Sequence, residues 1–414
     1  MNTMTLTVQP VTRIGRIRGQ ARLLGPALVA AAAYVDPGNV ATNTAAGARY
    51  GNLLIWVVVL ANVMAGLVQY LSAKLGIVTG QSLPETIRDR LSRPARIAYW
   101  LQAEIVTMAT DLAEVLGGAI ALWLLFGMPL LAGGILTTVV SMLILHLRER
   151  GGQVRFERVI VAMLGVVAVG FLAGLVTNPP GPTAIGGLVP RFAGSDSVVL
   201  AAAMLGATVM PHAIYVHSAL ARDRHGRTPA IGRRRLLAAT RTDVMLALLL
   251  AGTVNLALLL VGATALAGDE RTATIEGVHA AIVDHMGFAI GLLFAVGLLF
   301  SGWASTAVGC YSGSVVMSDL IGVKVPLLLR RLVTAVPALV VLAVGVAPMT
   351  ALIVSQILLS FGIPFALIPL VLLTSRRSVM GPDRNGPATV LAAGAVCAAI
   401  VSLNVVLIVF TVSS

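Results

Sequence analysis

The chain has 414 residues, 57% of them hydrophobic and 11% charged, and a mean hydropathy of +0.93, which excludes a soluble globular protein and indicates a polytopic membrane protein. Its formal net charge of +12 is divided among short loops rather than gathered on one folded surface, so nucleic-acid binding is excluded as its explanation. Cys310 and Cys397 stand singly in apolar segments without CxxC spacing, which points to neither a disulfide framework nor a zinc site; both read as small packing residues.

Residues 1–24 read as a basic cytoplasmic tail carrying Arg13, Arg16, Arg18 and Arg22. With Leu23 to Val35 behind it the tail looks like the start of a signal peptide, but the apolar stretch runs on past the Ala-rich segment, so an uncleaved first span is expected. That span, 25–48, contains Asp36-Pro37-Gly38-Asn39. Asp36 lies 14 residues after Arg22 and 13 before Arg49, about 20 Å from either flank at ~1.5 Å per residue and hence mid-membrane. Pro37 removes a backbone donor and Gly38 frees the dihedrals, so the helix should break there and expose carbonyls that a dehydrated cation would satisfy.

Further apolar windows at 52–79, 97–126, 129–147, 157–177, 197–221, 236–267, 287–318, 327–347, 350–373 and 388–411 bring the count to eleven spans. The third holds three acids: Asp111, 15 residues beyond Arg96 and near the midplane, with Glu104 and Glu114 seven and three residues away, close to its face. Intramembrane acids must pair or line water. The sixth span is interrupted by Met210-Pro211-His212, 14 residues after Asp196 and 12 before Arg222, at the depth of the first break. His212 and His217 follow toward the cytoplasm, and imidazole changes charge near neutral pH. His146 and His225, beside arginine-rich loops, read as solvated. Arg330 and Arg331 stand at the inner end of the ninth span, where anchoring by positive charge accounts for them. The outer loop Gly268–Met286 carries Asp269, Glu270, Glu276 and Asp284 with His279 and His285, and reads as an ordinary solvated loop rather than a cation trap.

With the N-terminus inside, 26 of the 29 Lys and Arg residues fall on the cytoplasmic side, leaving Arg49, Arg191 and Arg271 outside, and the C-terminus is extracellular. Spans 1–5 and 6–10 then run in opposite senses, each set opening on its broken helix. The expected fold is therefore an all-α polytopic membrane protein with a leucine-transporter-like 5+5 inverted repeat, broken helices 1 and 6, and an eleventh transmembrane helix. Residues 25–414 form one transport domain, with repeats at about 25–177 and 197–373 and the extra helix at 388–411.

The chemistry of the two breaks is selective. Asp36 supplies hard anionic oxygen, Asn39 an amide oxygen, and Met210 a thioether that adds nothing for magnesium or calcium but favours manganese, iron and later first-row metals. The pair Asp36-Pro-Gly-Asn39 and Met210-Pro-His212 resembles the signature of the Nramp family, the natural-resistance-associated macrophage proteins, which couple divalent metal uptake to protons. Glu104-Ile-Val-Thr-Met-Ala-Thr-Asp111-Leu-Ala-Glu114, Arg330-Arg331 and Ser355-Gln356-Ile-Leu-Leu-Ser-Phe-Gly-Ile-Pro364 resemble the family's third, ninth and tenth helices. The resemblance covers roughly residues 22–410.

It implies metal ligands at Asp36, Asn39 and Met210, carbonyls from Ala33 and Ala207, and a conformation-dependent contribution from Gln356. It also implies a proton route through Asp111 and Glu114, continued toward the cytoplasm by Glu104, Arg330 and Arg331, with His212 and His217 beside it. The expectation is a proton-coupled symporter of Mn2+ or Fe2+ in the plasma membrane, not an enzyme, with metal and proton as substrates, the bilayer as its surroundings, no cofactor and no obligate protein partner. The alternative is a sodium-coupled amino-acid or amine transporter of the same fold, for which a thioether offers little.

Overall fold

In a computed structural model describing residues 25–225 and 232–413, the chain is almost entirely helical, with no strand among the described residues. The basic tail 1–24 lies outside them. The helices are α1 Pro26–Ala33, α2 Pro37–Tyr50, α3 Ile55–Thr79, α4 Leu83–Arg88, α5 Arg93–Phe126, α6 Leu130–Gly151, α7 Gln153–Thr177, α8 Ser195–Thr208, α9 Pro211–His225, α10 Arg233–Ala265, α11 Ile275–Met286, α12 Phe288–Val316, α13 Leu327–Val344, α14 Pro348–Ser375, α15 Arg377–Met380 and α16 Pro387–Ser413.

Among the described residues ten helical stretches are long and apolar enough to cross a membrane, and the first of them joins α2 to α3 as Pro37–Thr79. Its 43 residues would span ~65 Å if straight, about twice the hydrocarbon thickness. Gly51 breaks the run, at φ 57 and ψ −129, outside the helical region and open chiefly to glycine. The expected eleven crossings are recovered when α1 with α2 and α8 with α9 each count as one broken span. α1 has 8 residues, too few to cross alone.

The bundle is inside-out relative to a soluble protein. Val63, Leu143, Leu249 and Val333 point outward, more than half exposed, whereas Asp36, Asn39, Asp111, Glu114, His212 and His217 are buried. Lipid tails are as apolar as leucine, so the helices gain little from hydrophobicity when they meet and associate through close packing over small residues. At the α2–α10 crossing a Cβ on Gly47 would overlap the Leu259 carbonyl, and one on Gly262 would crowd the Thr44 carbonyl. At the α7–α12 crossing a Cβ on Gly170 would stand 2.8 Å from Gly297 Cα.

Two readings of the sequence are corrected. The outer loop 268–286 is not simply solvated: it folds into a 3₁₀ turn, Glu270–Ala273, and α11, which buries Ile275, Val278, Ala281 and Ile282 and packs on α12. Its acids Asp269 and Asp284 both pair with Arg271, at 2.7 Å each, and those hydrogen bonds hold the Asp269 carboxyl below its ordinary range. His225 is buried at the end of α9 rather than solvated.

Filling the α7–α12 contact by Gly170→Leu should cost about 1–3 kcal/mol through overpacking and lower the thermal midpoint in detergent. Gly165→Leu on the same helix, where an added Cβ meets nothing within 4 Å, should leave the midpoint unchanged.

Candidate metal and proton site

Both breaks have a local chemical cause. In a continuous helix the carbonyls of Ala33 and Ala207 would accept from the residues four places on, but these are Pro37 and Pro211, which have no N–H. α1 therefore ends at Ala33 and α8 at Thr208, with three residues between α1 and α2 and two between α8 and α9. Met210 is one of those two and is fully buried.

Asp36 caps α2. Its Oδ1 accepts from the Asn39 backbone N–H at 2.7 Å and from Asn39 Nδ2 at 2.8 Å, and the same Nδ2 donates to the Ala207 carbonyl at 2.8 Å. A carboxylate oxygen from the first break and a backbone oxygen from the second thus converge on one atom. Asp36 Oδ2 is buried without a hydrogen-bond partner, and Thr208 Oγ1 approaches Asn39 Oδ1 at 3.4 Å. Turning the Asn39 amide over would bring a third oxygen to the same point. Among the described residues no three His, Cys, Asp or Glu side chains cluster, so a cation here would not be held by a conventional triad of such ligands.

Several carbonyls in and near the breaks accept from neighbouring helices. Asn255 Nδ2 donates to Tyr34 O at 2.8 Å and Ser301 Oγ to Val35 O at 2.5 Å. At the second break Ser312 Oγ donates to His212 O and Ser72 Oγ to Ile214 O, both at 2.6 Å. None of these donors stands out in the sequence, because each is a single small polar residue in an apolar span.

Gln356, on α14, lies against both breaks. A Cβ on Gly38 would overlap its side-chain amide, and one on Gly206 would overlap its backbone carbonyl. Its Nε2 donates to Ser355 Oγ at 3.2 Å, while Oε1 is buried and unpartnered. A packing amide would normally be satisfied at both ends.

α5 approaches the first break where a Cβ on Gly117 would overlap the Pro37 ring, one turn past Glu114. Glu114 is fully buried near Ser305, with neither oxygen in a well-aligned hydrogen bond among the described residues, and Gly309 is glycine where a Cβ would stand 3.0 Å from its Oε2. Asp111, equally buried, lies 3.1 Å from Arg331 Nη1, an ion pair not aligned as a hydrogen bond; Arg331 Nε donates to Ser141 Oγ at 2.7 Å. Glu104 accepts twice from Arg330 Nη2, at 2.8 and 2.9 Å. The two arginines are 3% and 0% exposed, which corrects their reading as surface anchors. They fall in the first turn of α13, which packs on α5 and α6 and carries them inward.

The histidines occupy separate branches. His212 Nδ1 faces Thr110 Oγ1 on α5 at 3.4 Å, and its Nε2 has no partner. His217 Nδ1 meets Gln69 Oε1 at 2.6 Å, and Gln69 Nε2 donates to the Tyr34 hydroxyl beside the first break. Asn43 Nδ2, donating to Asn255 Oδ1 at 3.1 Å, extends the polar contacts along α2. Gln69, Asn43 and Asn255 were missed because their partners lie on other spans, 35 to 221 residues away along the chain.

The family model described as natural resistance-associated macrophage protein-like matches residues 27–410. The divalent metal cation transporter MntH of Mycobacterium tuberculosis (strain ATCC 25618 / H37Rv) is 58% identical over 393 residues, 94% of this chain and 92% of that protein. The chain is also similar to the crystal structure of the Eremococcus coleocola manganese transporter bound to an aromatic bis-isothiourea substituted compound, with TM-score 0.86 and 29% identity over 96% of this chain and 88% of that one. The crystal structure of MhsT in complex with L-phenylalanine shares the fold alone, with TM-score 0.58 and 13% identity over 92% of this chain and 98% of that one.

Breaking the buried pair by Asp111→Asn or by Arg331→Met should each cost about 3–5 kcal/mol, because among the described residues the remaining charge has no other oppositely charged group within ion-pair distance. The double variant should cost much less than the sum, a coupling measured by thermal unfolding of all four proteins in one detergent.

Proposed function

We propose that this chain, which belongs to the Nramp family, carries divalent transition-metal ions, Mn2+ and Fe2+ first, into the cytoplasm together with protons. Its relatives are named divalent metal cation transporters, and at that level it is a membrane transporter and not an enzyme. The preference among metals and the coupling to protons are our reading. The observation that carries it is the convergence of Asp36 Oδ1 and Ala207 O on the Asn39 amide nitrogen, with Asp36 Oδ2 left open. A dehydrated cation satisfies that arrangement better than an amide does.

In this mechanism the metal displaces the Asn39 amide nitrogen, the amide turns its oxygen inward, and the Ala33 and Ala207 carbonyls freed by the prolines complete the oxygen set. Met210 adds the soft donor that magnesium and calcium do not reward. Gln356 offers its unpartnered Oε1 as α14 shifts between states. The proton travels separately: Glu114 and Asp111 take it up beside the break, with His212 and His217 accepting or passing it. Glu104, Arg330 and Arg331 continue the polar path toward the cytoplasm.

Alternating access follows from rocking of the two repeats, about 25–177 and 197–373, around the joined breaks, with 388–411 as an addition. The basic loops favour a plasma-membrane orientation with the N-terminus inside and the C-terminus outside. An amino-acid or amine substrate is supported by nothing beyond the shared fold.

Proteoliposomes loaded from outside with radiolabelled manganese should accumulate it faster under an inward proton gradient, and Asp36→Ala should abolish uptake. Uptake indifferent to the gradient would remove the proton from the mechanism. Met210→Ala should keep manganese transport when tested alone but lose discrimination against calcium and magnesium in competition uptake.

A further inference from the structure

We propose that the cleft between α3 and α10 is a binding site for an anionic phospholipid of the cytoplasmic leaflet, with the phosphate on Lys74 and Arg241 and an acyl chain along Val63, Met245 and Leu249. The cleft has a volume of about 780 Å³. Its apolar wall is open to the surroundings: Val63, Met245 and Leu249 are 66%, 64% and 66% exposed. Its polar end is formed by Tyr70, Lys74 and Arg241.

The charge at that end is unbalanced. Arg241 makes no ion pair among the described residues, and Lys74 Nζ donates to a neutral acceptor, Asn385 Oδ1, at 3.0 Å. The nearby carboxylate of Asp383 is held by Arg233 at 3.1 Å. A trough that is mostly apolar, with Asn62 and Thr389 as its neutral polar members, and cationic at one end matches a lipid with a negative headgroup, because the cytoplasmic leaflet is anionic and each basic residue near it adds attraction. No carboxylate lines the cleft, which disfavours a metal vestibule, and a small soluble anion would leave the apolar wall unused. The site also has a structural connection. Asp243, two residues from both Arg241 and Met245, accepts from the backbone N–H groups of Gly25 at 3.2 Å and Ala27 at 3.1 Å, so one turn of α10 faces the cleft and also caps the half-helix α1.

The full chain, exchanged into nanodiscs of mixed phosphatidylcholine and phosphatidylglycerol, tests this by native mass spectrometry of the lipids it retains. The intact protein should keep phosphatidylglycerol in preference to phosphatidylcholine. Arg241→Gln should weaken that preference about fivefold, the worth of one basic residue near a charged lipid surface, and Lys74→Gln similarly. Met245→Trp, which fills the apolar trough with both charges intact, should displace the lipid as well. Arg150→Gln, in the last turn of α6 and not among the residues lining the cleft, should change nothing. Equal retention of the two lipids, an equal loss in Arg150→Gln, glycerol phosphate alone competing as well as the whole lipid, or a polypeptide in place of lipid would each overturn the assignment.

Discussion

A carboxylate in the centre of a helical bundle is expensive unless something satisfies it, and Asp36 is only half satisfied. One oxygen is held by the cap it makes on α2, and the other faces buried space without a donor. The prolines free the carbonyls, the glycines let α5 and α14 come close, and the side chains of Ser72, Asn255, Ser301 and Ser312 tie up the competing backbone oxygens.

The second layer of the structure separates charges from that centre. Asp111 and Glu104 are matched with Arg331 and Arg330, whereas Glu114, next to the first break, has no cationic partner within ion-pair distance among the described residues. Desolvation makes unpaired buried acids costly and paired ones tolerable. Of the three acids on α5, two are thus matched by arginines and one is not.

Much of this was legible in the sequence, and the boundary has physical reasons. A proline within an apolar run is a local signal, so both breaks and the ends of the spans emerge to within a few residues. Asp36, Asn39 and Ala207 meet because two such signals lie at equal depth. Partnerships across the bundle leave no local trace. Asp243 reaches the start of α1 across 218 residues, and Gln69 reaches His217 across 148. Arg330 and Arg331 misled for a different reason: a basic residue at a helix end normally reaches water, and only the packing of α13 on α5 and α6 reveals that here it does not. The buried face of α11 was hidden by the acids around it, although Ile275, Val278 and Ile282 have helical spacing.

The position of Gln356 gives the molecule a kind of logic. Its side chain rests on Gly38 in one half and its backbone on Gly206 in the other, with no room for a methyl group at either contact. α14 cannot slide past one half-site without registering against its twin. A single helix therefore touches both breaks at once, like a caliper whose jaws rest on separate parts, and the spacing between the two is set by the one strut laid across them.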